Sequence, residues 1–156
     1  MSSAFDLVVR NGLVVTAADT QRADIGVRDG RVVALGESLP QGTRDIDAAG
    51  RCVLPGGVDA HCHLDQPMPP PARMADDFET GSRSAACGGT TTVIPFAAQE
   101  KGHSLRAAVE DYHRRADGKS SIDYAFHLIV SDPTPEVLQQ ELPELIAAGY
   151  TSFKIY

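Results

Sequence analysis

The first fifty residues set short β-branched apolar runs on either side of polar turn dipeptides, the pattern of strands joined by tight turns. Leu7-Val8-Val9-Arg10-Asn11-Gly12-Leu13-Val14-Val15 places Asn-Gly between two β-branched runs, and the stretch from Ile25 to Leu35 places Asp29-Gly30 in the same way. Asn-Gly and Asp-Gly accept the positive φ angles of a type I′ turn, so each predicts a hairpin. Residues 1–52 therefore predict an amino-terminal β-module. An open edge of such a module would favour self-association in an isolated piece.

The pattern changes from Arg51 onward, where apolar runs alternate with helical stripes. Val53-Leu54 leads into a strand through His63, and the prolines of Asp65-Gln66-Pro67-Met68-Pro69-Pro70-Pro71 forbid a regular helix directly after it. A helix is predicted from Asp76-Asp77 to a stop at Gly88-Gly89, and Thr90-Thr91-Thr92-Val93-Ile94 is a β-branched second strand. Ser104 caps a helix whose Leu105, Ala108, Val109 and Tyr112 make an i, i+3, i+4, i+7 stripe. Ile122 to Val130 reads as the third strand. Thr134-Pro135 starts the next helix as cap and first-turn proline, Pro143 interrupts it and Gly149 ends it. Phe153-Lys154-Ile155-Tyr156 belongs to a fourth strand. Residues 53–156 thus predict an α/β fold, the first βα units of a (β/α)8 barrel, in which catalytic groups gather at the carboxyl ends of strands. Four units cannot close that barrel. An open doubly wound sheet is the rival on pattern alone, but no strand is followed by Gly-x-Gly-x-x-Gly to support nucleotide binding.

Charge narrows the partners. The formal net charge is −7 without a Lys/Arg cluster, which makes nucleic acid and anionic membrane poor partners. No window approaches a transmembrane length and no basic leader precedes an apolar stretch, so the expected location is the cytoplasm. Cys52, Cys62 and Cys87 form no CxxC pair, which argues against a disulfide framework and is consistent with a reducing compartment.

The candidate chemistry lies in Val58-Asp59-Ala60-His61-Cys62-His63-Leu64-Asp65-Gln66-Pro67. Strand alternation points His61 and His63 the same way, where two imidazole nitrogens can grip one ion, with Asp59 on their face. Val58, Ala60 and Cys62 then turn toward the packed side, Cys62 as a small filler. Lys154 sits among Phe153, Ile155 and Tyr156. Burial disfavours an ammonium and frees the amine to react with carbon dioxide, giving a carbamate able to bridge two cations; alternatively the side chain snorkels from the strand end. His127 is expected to be a hydrogen-bonded structural residue, and His103 and His113 to be solvated.

Pro55-Gly56-Gly57-Val58-Asp59-Ala60-His61-Cys62-His63-Leu64, Cys87-Gly88-Gly89-Thr90-Thr91-Thr92 and Gly149-Tyr150-Thr151-Ser152-Phe153-Lys154 occur in an order and at a spacing that resemble the amino-terminal part of the dihydropyrimidinase/hydantoinase family of the amidohydrolase superfamily. The resemblance runs from about Phe5 to Tyr156. It implies two divalent metal ions, usually zinc, with His61 and His63 on the more buried one and a carboxylated, catalytic Lys154 bridging both. Carbon dioxide is then needed for the carboxylation. The β-module would be part of a small β-sandwich that relatives complete with strands from the far carboxyl terminus. Two further metal histidines and a catalytic aspartate of the family fall beyond Tyr156, so the chain is expected to be a fragment or a truncated product, inactive alone.

The implied reaction is hydrolytic opening of a cyclic amide, a dihydropyrimidine or hydantoin, to an N-carbamoyl amino acid by a hydroxide activated between the two metals. Leu64 and Asp65 begin a loop of the kind that shapes the substrate pocket in relatives. Dihydroorotases carry arginine where this chain has Asp65, which disfavours an anionic pyrimidine carboxylate. Allantoinase-type chemistry is the enzyme alternative, and a non-catalytic dihydropyrimidinase-like interaction protein is the alternative of another class. The implied partners are a small cyclic amide and other copies of the chain, as a homotetramer.

Overall fold

The computed structural model describes residues 3–155, and the chain divides between Pro55 and Gly56 into two units. In the first, β1 (Leu7–Val15), β2 (Thr20–Arg28), β3 (Arg31–Gly36), β4 (Arg44–Asp47) and β5 (Cys52–Val53) form one sheet. Its order is β3-β2-β1-β4, with β5 also on β1. The first three strands pair antiparallel, and β4 and β5 run parallel to β1. Val14, Ala23 and Ile25 form a small core under Val9, Val27 and Val53.

The Asp29-Gly30 hairpin is present, with φ of 51° and 70° joining β2 to β3. The Asn11-Gly12 hairpin is not. β1 runs straight through that dipeptide, and the left-handed Asn11 (φ 56°) instead marks a shift of register against β2 between Val9 and Gly12. The reason lies in the buried Asp24, whose carboxylate accepts the Asn11 amide at 2.9 Å and so satisfies the donor that a bulge takes out of the ladder. Gly12 also has to approach Val53, whose Cγ2 would lie 2.8 Å from any Cβ there.

In the second unit β6 (Gly57–Cys62), β7 (Thr90–Ala98), β9 (His127–Ile129) and β10 (Phe153–Lys154) lie side by side in chain order, all parallel. A short β8 (Asp123–Tyr124) also pairs with β7. This is the open first half of a (β/α)8 barrel. The third strand expected from the sequence is thus split, and the Ala125 amide donates to Val93 O at the break.

Helices α1 (Phe78–Cys87) and α2 (Leu105–Ala116) bury Phe78, Leu105, Val109, Tyr112 and Ala116 against Val93, Ala97, Phe126 and Leu128. Each such large apolar side chain withdrawn from water contributes about 1.5–3 kcal/mol before entropy is counted. Asp77 caps α1 through a reciprocal box with Thr80, and Ser104 caps α2 through the Ala107 amide. The following helix begins where Thr134 accepts the Val137 amide. Pro143 lacks the N–H that an α-turn would need, and the chain accommodates it with a π-helical turn over Val137–Glu141 before α3 (Leu142–Ala147). Gly149, at φ 106°, ends that element.

Alternation on β6 holds for Cys62, which packs on the core, but not for the start of the strand. Val58 is 61% exposed and Ala60 is exposed, because among the described residues nothing packs over that face at the start of β6 to bury them.

Candidate functional site

β6 ends at Cys62, so His61 is inside the strand and His63 is the first residue beyond it. Their ring centroids lie 5.7 Å apart, edge to face. Both rings rest on Phe96 of β7, at 4.8 Å for His61 and 5.1 Å for His63, the latter stacked. Lys154 of β10 brings its Nζ to 4.5 Å from the centroid of the same ring. Residues from β6, β9 and β10 therefore gather on one aromatic ring of β7, since His127, the first residue of β9, also meets it at 5.0 Å.

His127 has both nitrogens engaged. Nε2–H donates to Ala60 O at 2.8 Å, which leaves Nδ1 to accept from the Ser152 hydroxyl at 2.5 Å. The ring ties β6 to β9 and to the residues entering β10, the structural role expected from its sequence position. His113, expected to be solvated, is instead half-buried: its Nδ1 lies 3.2 Å from the Tyr124 hydroxyl and its Nε2 2.6 Å from that of Tyr150. His103 is exposed, 3.3 Å from Glu100.

The other residues near the pair are occupied locally. The Asp59 carboxylate accepts the backbone N–H of His61 at 3.0 Å, where the β6–β7 register is irregular. Burial pushes the Cys62 thiol up to about 11, reinforced by the charge of Asp59, and its side chain packs on the core. Leu64 is buried in the core against Gly81, where any Cβ would fall 2.4 Å from its Cδ2. Asp65 adopts φ 48°, donates its amide to Asp76 O at 3.0 Å, and receives Arg115 on its carbonyl at 3.1 Å and on its carboxylate at 3.5 Å.

The two imidazoles form a nitrogen donor pair that suits zinc and similar divalent ions. The His63 Nδ1 lies 2.5 Å from Gln66 Oε1, an acceptor, so the proton sits on Nδ1 and the Nε2 lone pair is available. The residues fit part of a cation site. Among the described residues no group of three or more His, Cys, Asp and Glu side chains is placed to hold a metal ion.

The sequence reading ended the second strand at Ile94, one residue short of Pro95, and so left Phe96 out. Pro95 is tolerated opposite Cys62, the last residue of β6, after the register shift. Extending the strand through it would have put Phe96 on the same side as Thr92 and Ile94. Gln66 and Arg115 carry no local signal that could have marked them.

The amidohydrolase family model matches residues 52–150, and that of the N-terminal domain of the urease alpha-subunit matches 1–51. The D-hydantoinase of Ralstonia pickettii is 46% identical over 151 residues, covering 97% of this chain and 33% of that protein. The dihydropyrimidinase of Rattus norvegicus is 39% identical over 156 residues, covering 96% and 30%. A solved D-hydantoinase structure superposes with a TM-score of 0.90 at 46% identity, over 96% of this chain and 32% of that one. The chain thus spans about one third of the length of the curated relatives it matches. With a half-barrel of parallel strands converging on His61, His63 and Lys154, and a family model matched over most of its length, this chain belongs to the amidohydrolase family.

Proposed function

We propose that this chain provides the first part of a cyclic-amide hydrolase that opens a dihydropyrimidine or hydantoin ring to an N-carbamoyl amino acid. The observation that carries the reading is the meeting of His61, His63 and Lys154 around Phe96 at the carboxyl ends of parallel strands, in a chain 46% identical to a D-hydantoinase. His61 and His63 would hold one divalent ion through imidazole nitrogens. Lys154, once its amine has added to carbon dioxide with loss of a proton, would supply carboxylate-like oxygen ligands to the metal centre. Phe96 keeps the three side chains together and excludes water from the side it covers. When bound, such ions would lower the pKa of a bound water and polarise an amide carbonyl.

Zinc as the metal, carboxylation of Lys154, assembly as a homotetramer and a cytoplasmic setting belong to the same proposal and rest on family membership. None of the helices among the described residues is long and apolar enough to cross a membrane.

The test pairs metal content with turnover. Protein carrying these residues is prepared with zinc and bicarbonate and assayed for ring opening of hydantoin and 5,6-dihydrouracil. Bound zinc and a lysine heavier by one carbon dioxide, with zinc lost in His61→Ala and His63→Ala, support the reading. Zinc retention unchanged by both substitutions sinks it.

A further inference from the structure

We infer that Gln66 is a positioning residue that fixes the tautomer and direction of His63, and that Arg115 braces it from helix α2. The inference rests on the reading of His63 as a metal ligand and adds what sets that ligand. A histidine can offer only one ring nitrogen to an ion, and which one is decided by the hydrogen bond that the other nitrogen makes. Here Nδ1 meets Gln66 Oε1 at 2.5 Å. An amide oxygen only accepts, so Nδ1 carries the hydrogen and Nε2 the lone pair.

The geometry holds Gln66 in place from both sides. Leu64 is anchored in the core against Gly81, closing one end of the turn. Asp65 is held in its left-handed conformation by Asp76 through its amide and by Arg115 through its carbonyl and carboxylate. Arg115 is itself directed by Asp111 at 2.6 Å and lies over the ring of the buried Tyr112 at 5.8 Å. Pro67 then restricts the backbone of Gln66 to extended conformations. A residue with one rigid neighbour on each side presents its side chain in a narrow range of directions, and His63 lies within that range. The link from α2 to His63 therefore runs Asp111, Arg115, Asp65, Gln66.

Histidine-selective nitrogen NMR of the metal-free chain in mildly alkaline buffer reads the tautomer of His63 directly, and zinc titration of the same samples reads the consequence. The wild type is expected to show the Nδ1–H form at His63. Gln66→Met, which keeps length and removes the acceptor, is expected to shift the ring toward the Nε2–H form that imidazole favours in water. Zinc binding should then weaken about 10- to 100-fold. Arg115→Met should produce the same shift in smaller degree with Gln66 intact. A wild-type His63 in the Nε2–H form, as an amide turned to donate would give, overturns the inference. So does a Gln66→Met protein with unchanged tautomer. A wild type that shows the Nδ1–H form but takes no zinc would overturn the metal reading of His63 and leave the positioning by Gln66 standing.

Discussion

The Lys154 Nζ lies 4.5 Å from the centroid of the Phe96 ring, the ring on which His63, one residue past the opposite edge strand β6, also stacks. One buried side chain of β7 thereby sets the spacing between groups of β6 and β10 that never pair with each other.

Truncating Phe96 should therefore act on stability and on the site together. Phe96→Ala is expected to lower unfolding free energy by about 3–5 kcal/mol, and Phe96→Leu by about 1–2 kcal/mol, because leucine refills most of the volume but not the aromatic contacts. Zinc titration of the Leu variant, which stays folded, should show weaker uptake. Unchanged affinity would mean that His61 and His63 are held by β6 alone.

Gly56 enters β6 so close to β7 that a Cβ would lie 2.0 Å from Thr91 Oγ1 and 2.7 Å from Thr91 Cβ. Gly56→Ala should cost about 3 kcal/mol as an overpacked contact. In Thr91→Gly the obstructing atoms are gone, so the double variant should be less destabilised than the sum of the two single changes. Additivity in denaturant midpoints would show that the strand entrance moves freely.

The helices and the half-barrel were legible because each depends on local chemistry. The Asp77 and Ser104 caps, the stripe from Leu105 to Tyr112 and the stop at Gly149 each act within a turn or two of chain. Asn11-Gly12 shows the limit of that logic. The dipeptide demanded a left-handed residue, and whether a hairpin or a bulge used it was decided by Asp24, thirteen residues away. The site divides in the same way. His61 and His63 are visible from spacing, whereas Phe96 lies past the residues read as its strand and Gln66 gains its role from Arg115, fifty residues beyond Asp65. Tertiary hydrogen bonds of that span leave no periodic trace.

Gln99 should be needed to hold the loops that follow β7 and β9. Buried, it accepts the amides of Ser131 at 3.1 Å and Asp132 at 3.0 Å and donates to His103 O at 2.8 Å. Gln99→Leu leaves those backbone groups without partners and is expected to cost about 2–4 kcal/mol. Amide hydrogen exchange at Ser131 and Asp132 should accelerate with it, while exchange in the middle of α2 changes less. Uniform acceleration would point to global destabilisation instead.

Acid should weaken the packing of the π-helical turn on α2 through Glu141. Burial alone would raise its pKa. The Arg106 amide at 3.1 Å, the Ser104 hydroxyl and the Leu105 amide at the start of α2 outweigh burial and hold the carboxyl below the ordinary glutamate range. A carboxyl with a depressed folded-state pKa contributes stability that is fully present above the unfolded value and is lost as pH falls through the folded one. Glu141→Gln keeps an acceptor but not the charge, so it should be less stable than the wild type by about 1–2 kcal/mol at neutral pH. The gap should close as the wild type is acidified past the folded-state value. Urea midpoints of the two proteins measured from neutral pH into the acid range test this. Because Asp111 also has a lowered pKa from its arginine partners, only the difference between the two curves isolates Glu141. A gap that stays constant through that range would assign the effect to packing rather than to charge.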